Sequence, residues 1–141
     1  MGVKWKGADP DDLIRRLEQR KREIPIEVAA VVTETVREAQ QVQRQYLDRA
    51  TTPYGEFRFS QGRGNSAGRN DTGTMWEGIG WEVEKTGRYR ITGRWGWLSG
   101  ILDYFVYQEK GIGVPEAHSL LDSYVEISQK FQARMRGLFR G

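Results

Sequence analysis

From Pro25 to about Ala50, the apolar residues Ala29, Val32, Val36, Ala39 and Tyr46 recur at spacings of three and four. That period gathers side chains on one face of an α-helix. At about 1.5 Å per residue the helix spans roughly 35 Å, the diameter of a small domain. A chain of 141 residues with 38% hydrophobic content can enclose one modest core. A helix of this length must therefore be the member on which the rest packs. Its other face (Glu34, Arg37, Glu38, Gln41, Arg44, Gln45) is polar, as suits a helix lying on a sheet or another subunit.

The flanking segments follow from local signals. Asp9-Pro10-Asp11-Asp12 supplies a capping aspartate, a preset φ and two first-turn acids, so a short helix is expected over residues 9–22, carrying Leu13, Ile14 and Leu17. Pro25 forces a break or a new start before the long helix of 25–50. Thr51-Thr52-Pro53 stops that helix. Residues 54–70 are rich in Gly, Ser, Asn and Arg without a sustained period, which predicts a long mobile loop. Either it orders on a partner with Tyr54, Phe57 and Phe59 as anchors, or it is a short hairpin packed on its own domain. Alternation at Ile79, Trp81 and Val83, a turn at Thr86-Gly87, and further apolar runs to Tyr104–Glu109 predict an antiparallel sheet of three to four strands over 79–109. Pro115-Glu116 opens a last helix over 115–138, with a stripe of Ala117, Leu121, Tyr124, Ser128, Phe131, Met135 and Leu138. The expected fold is one α+β domain, 1–141, with the sheet packed against the long N-terminal helix and the C-terminal helix.

Chemistry finds few footholds. There is no cysteine and a single histidine, His118, so thiolate chemistry and a zinc or iron site lack ligands. Asp9, Asp11 and Asp12 suit a hard cation in principle, but helix capping accounts for them. Gly64-Asn65-Ser66-Ala67-Gly68 has the spacing of a hydrolase nucleophile elbow, yet no buried strand precedes it and no helix follows. A small hydrolase using Ser66 and His118 is the weakest reading. No P-loop lysine element is present. No enzyme activity, cofactor or metal is expected.

No apolar run approaches the roughly 20 residues of a membrane span, and the N-terminus lacks the apolar core of a leader, so no membrane association is expected. The net charge of +3 is mildly basic. Lys130, Arg134, Arg136 and Arg140 form a basic C-terminal end without acids, read either as charge suited to a helix C-terminus or as a patch for nucleic acid or an acidic partner. The aromatic residues fit core or subunit interface, with a stacking surface for single-stranded nucleic acid as the alternative.

Thr72-Gly73-Thr74-Met75 running on to Ile79 resembles the Ser-Gly-x-Leu-x-x-Ser-Ile element of the tail-completion (minor tail component) family of long-tailed bacteriophages. Some 25 residues on, Tyr104-Phe105-Val106-Tyr107-Gln108-Glu109-Lys110-Gly111 resembles that family's Tyr-Ala-x-Tyr-x-Glu-x-Gly-Thr strand and turn. Pro115, Leu120 and Leu121 are similar to its approach to a C-terminal helix. This chain departs from the pattern at Thr72, Phe105 and Ile112, and its segment before Pro115 is short. The resemblance implies a structural virion protein of the head–tail connection, made in the host bacterial cytoplasm and placed at the neck or proximal tail. It implies assembly with itself into a ring, hexameric by expectation, and with neighbouring connector and tail proteins. A tail terminator or other neck protein is the nearest alternative, and a sequence-nonspecific DNA-binding module the alternative of another class. Within such a ring Tyr54, Phe57, Arg58, Phe59, Arg63 and Arg69 are candidates for the interface or for contact with genome DNA. Gly73 and Gly111 would mark turns, Tyr104 and Tyr107 would fill the space between sheet and helix, and Glu109 would either accept backbone hydrogen bonds at a strand end or reach across a subunit boundary.

Overall fold

A computed structural model describes residues 9–140; the leader expectation rests largely on residues 1–8, which lie outside the described residues, as does Gly141. The elements are helix α1 (Pro10–Arg49), helix α2 (Pro53–Ser60), the single turn α3 (Thr74–Glu77), strands β1 (Gly80–Lys85) and β2 (Ile91–Gly96), helix α4 (Asp103–Lys110) and helix α5 (Ser119–Leu138). The α+β class holds, with a two-stranded antiparallel sheet in place of three to four strands.

The two N-terminal helices expected at 9–22 and 25–50 are one. Asp9 caps it, accepting the Asp11 N–H at 3.0 Å, and Pro10 stands in the first turn. Pro25 is buried inside it. A mid-helix proline costs about 3 kcal/mol, but here the Arg20–Glu27 ion pair, at 2.6 Å, bridges the proline, and Arg20 also donates to the Leu138 carbonyl at 2.9 Å. One side-chain pair thus spans the missing backbone bond, and one tertiary contact anchors the Arg20 side of it.

The predicted face of α1 is the buried one, with Val32, Val36, Ala39, Val42 and Leu47 inward. The β1–β2 hairpin lies on it, in a register pairing Trp81 with Trp95 and Val83 with Gly93. A Cβ at Gly93 would come within 2.6 Å of a Val36 methyl and 2.8 Å of a Val32 methyl, so the hairpin approaches the helix at backbone distance. Trp81, expected inward, is part-exposed beside Arg37.

Helix α5 runs antiparallel to α1, from Ser119 beside Gln43 to Leu138 beside Arg20. Its buried positions are Ser119, Ser123 and Ile127, rotated from the expected apolar stripe. Small serines let α5 close on α1, while Leu121 and Tyr124 are left exposed. The main core joins Leu47, Met75, Ile79, Trp97, Phe105 and Ala117; a second joins Ala39, Val42 and Ile127.

Two further expectations fail. Tyr104–Glu109 is helix α4, because Asp103 in the first turn and left-handed Gly111 at the C-cap outweigh the strand preference of its aromatics. Residues 54–60 are helix α2 rather than loop, and only residues 61–70 lack regular structure; no hairpin forms there. Thr52 caps α2 by accepting the Gly55 N–H at 2.9 Å, so the Thr-Pro pair that ends α1 also starts the next helix.

Candidate functional site

An open groove of about 750 Å³ runs between the end of β2, the 97–102 turn, α4 and the start of α5. Its floor is rigid. Trp97 donates its indole N–H to the Met75 carbonyl at 2.8 Å and packs on Phe105 with ring centroids 5.4 Å apart. Trp95 donates to the Ser123 hydroxyl at 3.1 Å and stacks on Tyr124 at 6.3 Å. The walls are apolar and open to solvent: Leu98, Ile101, Leu120, Leu121 and Tyr124 are 38–60% exposed. The sequence places Leu121 and Tyr124 in a helix stripe against a sheet, and nothing in that stripe's spacing signals the groove.

The α4–α5 joint holds the groove's shape. Glu109 accepts the backbone N–H groups of Ser119 and Leu120 at 2.9 and 3.0 Å and also bonds the Ser119 hydroxyl. It is thus a carboxylate accepting backbone hydrogen bonds, as one of the two expectations had it, but from a helix and onto the next helix's N-terminus, where the dipole favours negative charge. The N–H groups of Ala117 and His118 return to the carbonyls of Gln108 and Glu109, which delays α5 from Pro115 to Ser119. Gly111 is left-handed, and a Cβ there would sit 2.9 Å from the Glu116 nitrogen.

The other motif residues have mostly structural places. Gly73, at φ 90°, precedes α3, and Met75 and Ile79 are buried in the main core. Thr72 is exposed, its hydroxyl 3.1 Å from that of Thr74. Tyr104 and Tyr107 do not fill the space between sheet and helix: both are exposed, and Phe105 takes the core position because a helix, unlike a strand, turns 105 inward between them.

The three loop arginines part company. Arg58 is buried and is the post around which residues 61–71 wrap, donating to the carbonyls of Arg63 (2.8 Å), Ser66 (2.8 Å) and Gly68 (3.2 Å), with Asp71 at 3.4 Å. It is no free channel cation. Arg69 is part-buried and donates to the Pro115 carbonyl; burial pushes its guanidinium below its ordinary pKa, opposed by Glu109. Of the three, Arg63 alone is exposed to solvent, and Tyr54, Phe57 and Phe59 on α2 are exposed as well.

The basic C-terminal end is half neutralised by α1. Lys130 and Arg134 both bind Glu38, and their hydrogen bonds hold its carboxyl below the ordinary value. Arg136 and Arg140 are exposed. Ser66 accepts the Gly68 N–H at 3.2 Å within the Arg58 loop, whereas His118 lies at the groove between Glu116 and Asp122, at 3.2 and 3.4 Å. Among the described residues no cluster of three acidic, histidine or cysteine side chains is placed to hold a metal, and no helix is long and apolar enough to cross a membrane.

Fold and surface together define a small mixed helix-and-sheet protein with an open apolar groove between β2, α4 and α5. No family model, curated protein or solved structure matches the chain.

Proposed function

We propose that the protein is a non-enzymatic structural subunit of the head–tail connection of a long-tailed bacteriophage, a tail-completion or neck protein. It acts by assembling with copies of itself into a ring and with adjoining connector and tail proteins in the virion. The observation that carries the reading is the exposed apolar groove lined by Leu98, Ile101, Leu120, Leu121 and Tyr124. Apolar surface gains about 25 cal/mol per Å² when removed from water, and a contiguous exposed apolar patch is the mark of an association surface. The phage assignment rests on the motif resemblance. It is supported by the structural weight of the matching residues, with Gly73, Met75 and Ile79 building the core approach and Glu109 and Gly111 the joint beside the groove.

Contact with genome DNA is a secondary part of the proposal. Of the two candidate places, the loop and the basic C-terminal end, the second keeps more free charge: Arg58 and Arg69 are held by loop carbonyls, whereas Arg136 and Arg140 are exposed on either side of the Leu138 that Arg20 binds. Deleting the gene in a phage that carries it is the direct test. DNA-filled heads and free tails that fail to join are expected, and the tagged protein should lie at the neck by electron microscopy. Normal joined particles without the protein would overturn the proposal.

A further inference from the structure

The sheet has a free edge. Strand β1 pairs only with β2, and just past its end Thr86 donates to the Arg90 carbonyl at 3.0 Å. Bonded and non-bonded pairs alternate along an antiparallel ladder, so the register makes Trp81–Trp95, Val83–Gly93 and Lys85–Ile91 the non-bonded pairs. The backbone N–H and C=O groups of Trp81, Val83 and Lys85 therefore point away from β2. Among the described residues no other strand, turn or loop takes them up. Beside this edge lies an open trough of about 790 Å³, walled by Trp81 and floored by Ala29, Ala30 and Thr33 of α1. Ile26, exposed, stands on the same side of the helix as Ala30 and Thr33, at spacings of four and seven. On the sheet's solvent face the charge is divided by strand. β1 carries Glu82 and Glu84, while the bases fall on the other strand, at Arg94 and at Arg90 just before it. Of the trough's own charged residues, Arg37 lies over the Trp81 ring, and Glu34 and Glu38 face Arg134.

We propose that the outer edge of β1 takes a strand from a different protein, an extended antiparallel segment with Lys or Arg opposite Glu82 and Glu84 and apolar side chains between them. Hydrogen bonding fixes the occupant's conformation, because only extended backbone matches N–H and C=O groups presented at every second residue. Charge fixes its side chains. In the new ladder Glu82 and Glu84 fall at the non-bonded pairs, where facing side chains come closest. Both share one guanidinium, Arg94, at 3.1 and 3.6 Å, and it stands on the inner strand, about 10 Å from where the added strand would run. The apolar residues of that strand would lie over the small side chains of the trough's floor. The same glutamates turn away a second copy. Each antiparallel register that overlaps more than half of β1 with another β1 sets Glu82 or Glu84 against its like, which destabilises the pair. The outer edge of β2 is no substitute, since Trp95, bonded to Ser123, holds α5 beside it. The inference goes beyond the assembly reading by naming the chemistry of a partner, and its binding test is separate from the gene deletion.

The test uses the full-length protein and three end-blocked peptides: Thr-Lys-Val-Lys-Val-Lys-Thr, its counterpart with Glu for each Lys, and the basic peptide N-methylated at both valines. The basic peptide should bind with a measurable Kd by calorimetry and slow amide hydrogen exchange at Trp81, Val83 and Lys85. The acidic peptide should bind about tenfold more weakly or not at all. The protein's net charge of +3 would by itself favour the acidic peptide, so this preference reports the local glutamates. N-methylation keeps the charge and removes the donors that face β1, and it should abolish binding. Glu82→Lys with Glu84→Lys, both at exposed positions, should reverse the choice between the basic and acidic peptides. No saturable binding of the basic peptide up to millimolar concentration would overturn the edge site. So would equal binding of the N-methylated peptide, protection at residues away from β1, or a double variant with unchanged preference. None of these results bears on whether heads and tails join in the gene-deleted phage, which tests the phage reading alone.

Discussion

The carboxylate of Glu109, in the last turn of α4, accepts the backbone N–H of Ser119 at 2.9 Å and so begins α5 from outside its own sequence. This one residue ties the motif stretch to the groove, since Leu120 and Leu121 take their positions from where α5 starts. Glu109→Ala should lower stability by about 1–2 kcal/mol, the usual value of a lost N-cap. Urea unfolding that matches the parent would show the cap to be dispensable.

Arg58 should be far less replaceable than its place in a glycine-rich stretch suggests. Its guanidinium satisfies three loop carbonyls, and leaving buried acceptors unpaired costs about 1–3 kcal/mol each. Arg58→Ala should destabilise the fold by roughly 3 kcal/mol or more and open residues 61–71 to limited proteolysis. Arg58→Lys should not rescue it, because an ammonium lacks the planar fork that spans the three carbonyls. Proteolytic resistance equal to the parent would refute this.

Gly93 is the point where the hairpin meets α1. Adding a methyl there puts carbon within 2.6 Å of Val36, which the core must absorb by shifting the strand. Gly93→Ala should cost about 1–3 kcal/mol, read as a lower melting temperature, with Val36→Ala in the same chain partly restoring it. No recovery in the double variant would place the cost elsewhere.

The Glu38 carboxyl is held below its ordinary value of 4.5, first by the Lys130 hydrogen bond and then by that of Arg134. A carboxyl depressed in the folded state adds stability above the unfolded-state pKa and loses it as pH falls through the folded value. Stability should therefore drop on acidification below about 4.5, and Glu38→Gln should flatten that part of the curve. An acid limb identical in both proteins would remove Glu38 as its source.

Pro25→Ala restores a backbone donor inside α1. The proline is worth about 3 kcal/mol against the helix, and the buried ring gives back part of that through packing. A net gain of about 1 kcal/mol is expected in denaturant unfolding. A loss would show that the ring's packing dominates.

What the chain's own order of residues determined is the set of features whose physics is local. The inward face of α1 was legible because period 3.6 needs no partner to be read, and Asp9-Pro10 caps that helix with atoms two residues apart. That two strands pair about a turn near Thr86-Gly87 was legible, while the inward side of β1 was not, since Trp81 is exposed. Tertiary structure decided the rest, where a distant partner outweighs a local preference. Pro25 reads as a break until Arg20 is seen bonded to Glu27 and Leu138, and Arg58 reads as a loop cation until its three carbonyls close around it. Tyr104–Glu109 reads as strand from its aromatics, and the helix between Asp103 and the left-handed Gly111 is held by the burial of Phe105 and Glu109's reach to α5. The groove was out of reach for the same reason. Which side of α5 meets α1 depends on Gln43 and Trp95 bonding two serines, and that choice is what leaves Leu121 and Tyr124 facing water.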